Sequence, residues 1–281
     1  MIKQAIIPLA GLGTRLLPLT SVFAKELLPI NGKPGIEYIL DECIEAGITE
    51  IIFIISKKKE MIKKYFYNDI FYKSLIKKKK DPRIINEYKK ILQYKKKIKF
   101  VYQNKPLGTG DAVLKTKKFI KNKYFLMLLP DDLIIKKNCS KDMIKIHKKY
   151  KASVMASMTV SKNNVNRWGI YSSSKKLNNQ NFVISDVIEK PNTKEAPSNN
   201  AVIGRYILSK DIFKILKKQK KGKGGEIHIT DSIKTMIDNK SLFIGHKFSG
   251  KYLDCGSMSG YINSTLEIAK LWKFVWLDLA T

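Results

Sequence analysis

The sequence predicts an α/β protein whose Rossmann-like, mixed but mainly parallel sheet is flanked by helices. Short, nearly continuous apolar runs recur along the chain, the pattern of strands buried on both faces. Helix-like stretches separate them, which implies right-handed crossovers between parallel strands. The first run also opens straight into a glycine-rich loop. At 281 residues with 44% hydrophobic content the chain can bury a full core. Length alone allows one large domain or two smaller ones, and a single domain over 1–281 is expected.

Ile2 to Ala10 supplies the first strand, and AGLGTRLLP, Ala10 to Pro18, the loop after it. Gly35 to Ala46 reads as a helix leading to a strand at Glu50 to Ser56 (EIIFIIS). The lysine-dense stretch Ile76 to Lys97 reads as a solvated helical insertion before the strand Ile98 to Tyr102. A helix over Gly110 to Ile120 precedes the strand Tyr124 to Leu129, and Ala152 to Met158 forms the next strand. After about Asn163 the texture changes. A turn region rich in Ser, Asn and Lys, Ser172 to Asn181, separates WGIY from FVISDVIEKP, and AVIGRYIL follows; these read as strands of a mixed sheet. Ser257 to Leu277 reads as one amphipathic helix. Its Trp272, Phe274 and Trp276 are expected to pack on the body or a partner subunit rather than on a membrane surface.

Composition excludes several function classes. No run of about 18 apolar residues occurs, which argues against a membrane span. The apolar N-terminus ends in a glycine turn rather than a small-residue cleavage site, so it reads as a strand of a cytoplasmic protein. Cys43, Cys139 and Cys255 are odd in number and far apart, against both a disulfide framework and a zinc site. Lys and Arg number 54 against 24 Asp and Glu, giving a formal charge of +30. Such a charge is a footprint of nucleic-acid binding. Yet only Arg15, Arg83, Arg167 and Arg205 are Arg, the type suited to bidentate phosphate contacts. The Lys excess travels with many Ile and Asn, as an A/T-rich coding sequence would produce. Solvated lysines coating an enzyme, with no nucleic-acid partner, is the reading adopted.

The chemistry concentrates at strand ends. In AGLGTRLLP the glycines let backbone N–H groups close on a phosphate or base, and Arg15 adds a fixed cation. The dinucleotide spacing G-x-G-x-x-G fails because position 16 is Leu, and no G-K-[ST] follows. On its own such a loop signifies only a turn. Further elements follow in order, however. FAKELLPI, Phe23 to Ile30, places Lys25 beside Glu26; QNKPLGTGDAV, Gln103 to Val113, brings an amide and a second glycine turn; LLPDD, Leu128 to Asp132, ends a strand with two carboxylates. Open α/β sheets bind ligands outside the carboxyl ends of their strands, so these segments are expected to converge on one crevice.

In these segments the chain resembles the bacterial UTP:glucose-1-phosphate uridylyltransferases, within the sugar-phosphate nucleotidyltransferases. The likeness runs from Lys3 to about Tyr261. It includes Lys33 to Ile54, VIEKP (Val187 to Pro191), APSNNAVIGRYIL (Ala196 to Leu208), GGEIHITDSI (Gly224 to Ile233) and LDCGSMSGY (Leu253 to Tyr261). The resemblance implies a nucleotide-binding part over about 1–135 and a sugar-phosphate-binding part over about 136–281. The backbone around Ala10 and Gly11, with Gln103 and Gly108, would hold the uracil, and Gly13, Thr14 and Glu26 belong to the same nucleotide site. Arg15 and Lys25 would grip the triphosphate. Asp131 would bind Mg²⁺, with Asp254 as second carboxylate. Gly169, Glu189 and Val202 would line the glucose, and Lys190 would pair with its phosphate. UTP and glucose 1-phosphate are the implied substrates, and a homo-oligomer the implied assembly.

Three positions depart from the family pattern. Ala24 stands for a usual Pro, Asp111 for a common His, and Ser257 for a frequent Asn or Asp. Asp111 adds a negative charge that weakens triphosphate binding unless it faces away or joins a helix N-terminus. A sugar-phosphate monoester has a second pKa near about 6 and is already an anionic nucleophile at neutral pH, so no general base is needed. This suits the expectation that His147, His228 and His246 lie outside the catalytic segments. A thymidylyltransferase is the alternative within the class, but would carry a second Gly at Leu12. An N-acetylglucosamine-1-phosphate uridylyltransferase would carry a hexapeptide-repeat extension. A nucleic-acid-binding protein is the alternative from another class.

Overall fold

The computed structural model describes residues 2–271, so Trp272, Phe274 and Trp276 lie outside the described residues. The chain begins with β1 (Gln4–Pro8), the short ladder β2 (Pro29–Ile30) and β3 (Lys33–Pro34), α1 (Gly35–Glu45) and β4 (Glu50–Ile55). Helices α2 (Glu60–Tyr67), α3 (Asp69–Lys79) and α4 (Pro82–Lys95) lead to β5 (Ile98–Tyr102), α5 (Thr109–Lys115), β6 (Tyr124–Leu128) and β7 (Asp132–Ile135). After α6 (Cys139–Tyr150) come β8 (Ser153–Thr159), β9 (Gly169–Lys176), β10 (Asn181–Glu189) and β11 (Asn200–Ser209). The described chain closes with α7 (Ile212–Leu216), α8 (Ile229–Asp238), β12 (Phe243–Lys247), β13 (Lys251–Asp254) and α9 (Met258–Leu271).

Nine strands form one sheet in the order β5-β4-β1-β6-β11-β8-β12-β10-β9. The first four run parallel, as the alternation of strand and helix predicted. β11 then reverses direction against both β6 and β8, and β10 runs antiparallel to β12 and β9. The parallel character therefore belongs mainly to the N-terminal half, and β12 alongside β8 is the one parallel pair beyond it.

The continuous apolar runs are explained by two layers of core. Along β4, Ile51, Phe53 and Ile55 face one layer and Ile52 and Ile54 the other, because successive side chains leave a strand on opposite sides. The first layer is filled by Ile36, Ile39 and Cys43 of α1, Phe66 of α2, Tyr94 of α4, Met143 of α6 and Ile268 of α9. Val113 of α5, Phe213 of α7 and Ile233 and Met236 of α8 fill the second. Each large apolar side chain so buried stabilises the fold by about 1.5–3 kcal/mol. Charged side chains are buried too. Arg205, fully buried on β11, donates to both carboxylate oxygens of Glu42 on α1 and to the carbonyls of Leu129 and Gly204. With each of its three guanidinium nitrogens hydrogen-bonded, the pair fixes α1 against the sheet.

Three sequence expectations change. The lysine-dense insertion is two helices, because Asp81 caps a new start at Pro82 by accepting from Arg83 N–H. The helix over Gly110 to Ile120 is shorter, ending at Lys115, where the Thr116 hydroxyl bonds back to the Val113 carbonyl. The turn region Ser172 to Asn181 is mostly strand. β9 runs on to Lys176 at the sheet edge, where polar residues face water and Ser172 meets Ser185 across the ladder.

Candidate active site

The loop after β1 is held in shape by its own residues. Gly13 adopts a left-handed φ of 70°, and its carbonyl accepts from the Thr20 hydroxyl at 2.9 Å. The chain thereby turns through a short helical turn at Thr14–Leu16 that carries Arg15, whose side chain is 61% exposed. Residues on either side of this turn border two cavities. Ala10 and Leu12, with Ser56, Lys57, Gln103 and Pro106, enclose about 490 Å³. Thr14 and Arg15, with Asp131, Gly169, Glu189, Lys190, Val202 and His228 among others, enclose about 650 Å³. Both volumes suit small-molecule sites.

The carboxylates arrive from two strands paired antiparallel, β7 and β13, with Asp254 opposite Asp132. Asp131 lies just before β7, and its carbonyl accepts from Cys255 N–H at 2.7 Å. Lys25 Nζ lies 2.6 Å from Asp131 Oδ2 and Arg15 Nη2 3.5 Å from the same atom. Arg167 donates to Asp254 Oδ2 at 2.7 Å, and Gly256 N–H to its Oδ1 at 2.8 Å. Burial alone would raise the Asp131 pKa, but Lys25 and Arg15 outweigh it and hold the carboxyl below its usual range. The converse holds for Lys25, whose pKa burial would lower and Asp131 raises overall. Asp132 behaves otherwise. Burial, and then the charge of Asp131, push it up to about 6, although Tyr252 and the Gly204 N–H donate to it.

The absent side chain of Gly256 leaves a cradle. A Cβ there would meet Arg15 Nη2 at 2.7 Å, Asp131 Oδ2 at 2.8 Å and Asp254 Oδ1 at 3.2 Å. Two carboxylate oxygens and a mobile guanidinium thus face one point. No cluster of three His, Cys, Asp or Glu suited to a metal occurs among the described residues. That donor set fits a hard divalent cation which keeps substrate phosphates and water in its remaining positions, and does not fit an all-protein cage.

The sequence model of the nucleotidyl transferase family matches residues 4–270. The chain belongs to that family. It is 36% identical over 276 residues to a protein of Streptococcus pyogenes described as UTP–glucose-1-phosphate uridylyltransferase 2, covering 95% of this chain and 90% of that one. A crystal structure of UDP-glucose pyrophosphorylase complexed with UDP-glucose superposes with a TM-score of 0.85 at 36% identity, covering 97% of this chain and all of that one. A UTP-bound enzyme of the same description from Acinetobacter baumannii gives 0.84 at 31% identity, covering 97% and 95%.

Within this nucleotidyl transferase most residues singled out from sequence gather at the two cavities. Gly11 and Ala10 border a smaller recess of about 190 Å³ beside the first. Gly169 pairs with Glu189 across β9 and β10, and a Cβ on it would press on Thr230 at 3.3 Å. Gly108 has a φ of 99° and packs against the Ile227 backbone, where a Cβ would meet the carbonyl at 2.7 Å. Its carbonyl holds the Gln103 amide at 3.1 Å. Glu26 is buried and both its oxygens receive Lys59 at 2.8 Å, so in this structure it anchors a lysine. His228 overturns an expectation. It lines the larger cavity with Nδ1 3.9 Å from Glu189, because the loop before α8 lies beside Gly169 of β9, Glu189 of β10 and Val202 of β11. His147 and His246 do lie elsewhere, on α6 and β12. Arg167, Trp168, Tyr206 and Tyr252 also line that cavity and were not singled out; they come from three separate segments with no shared motif. The departures find local reasons. Ser257 caps the start of α9 through Gly260 N–H, Ala24 is buried, and Asp111 lies in the first turn of α5.

Among the described residues, no helix is long and apolar enough to cross a membrane.

Proposed function

We propose that this nucleotidyl transferase transfers a uridylyl group from UTP to glucose 1-phosphate, giving UDP-glucose and pyrophosphate. The observation that carries the reading is the convergence of Arg15, Asp131 and Asp254, all lining the larger cavity, on the cradle at Gly256. The smaller-volume cavity, formed within 1–135, would take the uracil against Gln103, Gly108 and the Ala10–Gly11 backbone. The larger, mostly from 136–281, would take the sugar phosphate against Gly169, Glu189, Lys190 and Val202. The similar uridylyltransferases and UDP-glucose pyrophosphorylases support the same choice of substrates.

The nucleophile is the phosphate oxygen of glucose 1-phosphate, already anionic at neutral pH because its second pKa is near about 6. No side chain has to remove a proton. The work of the protein is to align two mutually repelling anions in line and to offset charge growing on the departing pyrophosphate. Lys25 and Arg15 carry the cations for the triphosphate, and Lys190 that for the sugar phosphate. Asp131 and Asp254 would hold Mg²⁺, which supplies further neutralisation of the phosphates when bound. Lys25 and Arg15, which lie against Asp131, would turn to the triphosphate when it binds, leaving Asp131 and Asp254 to hold the cation. A cytoplasmic homo-oligomer belongs to the same reading, and the three buried, free cysteines suit a reducing compartment.

The test is pyrophosphate release from a panel of nucleotides and sugar phosphates, with and without Mg²⁺. UTP with glucose 1-phosphate should be the best pair, and only with the metal. Preference for TTP by about tenfold or more would overturn the assignment.

A further inference from the structure

We infer that Asp111, one of the three residues in which this chain departs from its family's pattern, is the positioning residue that makes the base site read the N3–H of uracil and refuse cytosine. The inference rests on the uridylyl assignment and deepens it.

Gln103 and Asp111 are both buried, at 5% and 6% exposure. The Gln103 Nε2 donates to the Asp111 carboxylate at 2.8 Å and to the Gly108 carbonyl at 3.1 Å. Both neighbours of that end of the amide are acceptors only, and a carboxylate cannot exchange roles as a hydroxyl can. Turning the amide over would set its carbonyl oxygen against two other oxygens in a buried place, an unpaired arrangement that costs more than a lost hydrogen bond. The orientation of this amide is therefore dictated by its surroundings rather than chosen. Lys115 Nζ, 3.4 Å from the other Asp111 oxygen, steadies the carboxylate.

With both N–H groups turned inward, Oε1 is what Gln103 offers to the cavity bordered by Ala10, Leu12 and Pro106. An acceptor there complements a pyrimidine whose N3 carries hydrogen, as in uracil and thymine. Cytosine presents a bare N3 lone pair at the same place, so lone pair would face lone pair. A site built around one hydrogen bond rejects the analogue that cannot make it far more strongly than an apolar pocket rejects a misfit. Asp111 touches no substrate in this account. It acts through Gln103, and an amide freed to rotate would serve both bases.

The experiment measures kcat/KM and calorimetric binding for UTP, CTP and TTP with glucose 1-phosphate and Mg²⁺ in wild type, Asp111→Leu and Asp111→Asn. Leu removes the acceptor, and the UTP:CTP ratio should fall at least about tenfold. Asn can turn its own carbonyl to Gln103 and should keep the ratio within about threefold of wild type. The UTP:TTP ratio should hold in both, since the two bases share N3–H, whereas a pocket merely loosened by the change would shift it too. Should Asp111→Leu fail to fold, Asp111→Ala is judged by the same ratios. A folded Leu or Ala variant that keeps the wild-type UTP:CTP ratio overturns the inference. A wild type that binds UTP over CTP yet does not turn over glucose 1-phosphate would instead overturn the sugar assignment, and the binding ratios would still decide the role of Asp111.

Discussion

Lys25 Nζ sits 2.6 Å from Asp131 Oδ2, so the carboxylate proposed to hold a cation is neutralised by an ammonium of the protein itself. Its neighbour Asp132 is engaged differently, accepting from the Gly204 N–H at 2.9 Å and the Tyr252 hydroxyl at 2.7 Å. The two adjacent carboxylates thus separate into one facing the cradle and one tying β7 to β11 and β13. Asp131→Asn should preserve fold by circular dichroism and lower metal-dependent turnover by at least about 100-fold, roughly 2.7 kcal/mol of transition-state stabilisation. Asp132→Asn should cost less activity. Turnover across a Mg²⁺ titration of both variants decides it, and the reverse ranking would show the metal site misassigned.

Gly256→Ala tests the cradle without touching a charge. The added methyl would sit 2.8 Å from Asp131 Oδ2 and 3.2 Å from Asp254 Oδ1, where a cation should lie. Arg15 is exposed and can swing aside, so folding should survive. The Mg²⁺ concentration for half-maximal rate should rise by about 10- to 100-fold, the scale seen when surroundings of metal ligands are disturbed. An unchanged Mg²⁺ dependence would place the metal elsewhere.

Acid sensitivity of the fold should trace partly to His246. It is buried beside Asn181, Nδ1 to Oδ1 2.9 Å, and burial lowers its pKa below the ordinary 6.5. Because the unfolded chain takes up the proton first, the neutral ring's contribution is complete above about pH 6.5. It is lost as pH falls through the lower folded value. Urea midpoints for wild type and His246→Gln from about pH 8 to 5 should converge on the acid side. A constant difference across that range would show that His246 does not titrate on unfolding.

The parallel half of the fold was legible because its strands are buried on both faces and leave continuous apolar runs such as EIIFIIS. The paired strands β7 and β13 were not. They hold four residues each, and their pairing, which sets Asp254 opposite Asp132, is a contact over more than a hundred positions of sequence. At the site, glycines and strand-end carboxylates announce themselves by type and place, so Gly13 and Asp131 were found. Arg167 and Trp168 sit at the end of a short helical turn with no sequence periodicity, and only the fold brings them to the larger cavity. His228 was visible within GGEIHITDSI but was discounted for want of a proton to move. A cavity wall can use imidazole as a hydrogen-bonding surface without any such transfer.

Lys190 separates side-chain function from backbone strain within one residue. Its φ is 44°, a left-handed conformation that L residues with a Cβ adopt at a cost of about 1–2 kcal/mol, while its N–H donates to the Trp168 carbonyl at 3.0 Å. That turn projects a half-exposed ammonium, 3.5 Å from Glu189, over the sugar-side cavity. Lys190→Ala and Lys190→Gly both remove the cation and should both lower kcat/KM for glucose 1-phosphate by about 10- to 150-fold, the loss of a charge-assisted contact of roughly 1.5–3 kcal/mol. They should differ in stability. Ala keeps the Cβ and hence the strain, whereas Gly accepts positive φ freely, so the Gly variant should be the more stable by about 0.5–1 kcal/mol once its greater unfolded-state entropy is counted. Steady-state kinetics in the sugar phosphate, with urea unfolding of both variants, measures the two effects separately. Wild-type kcat/KM in either variant would reduce Lys190 to a surface lysine, and equal stabilities would mean the turn relaxes once the side chain is gone.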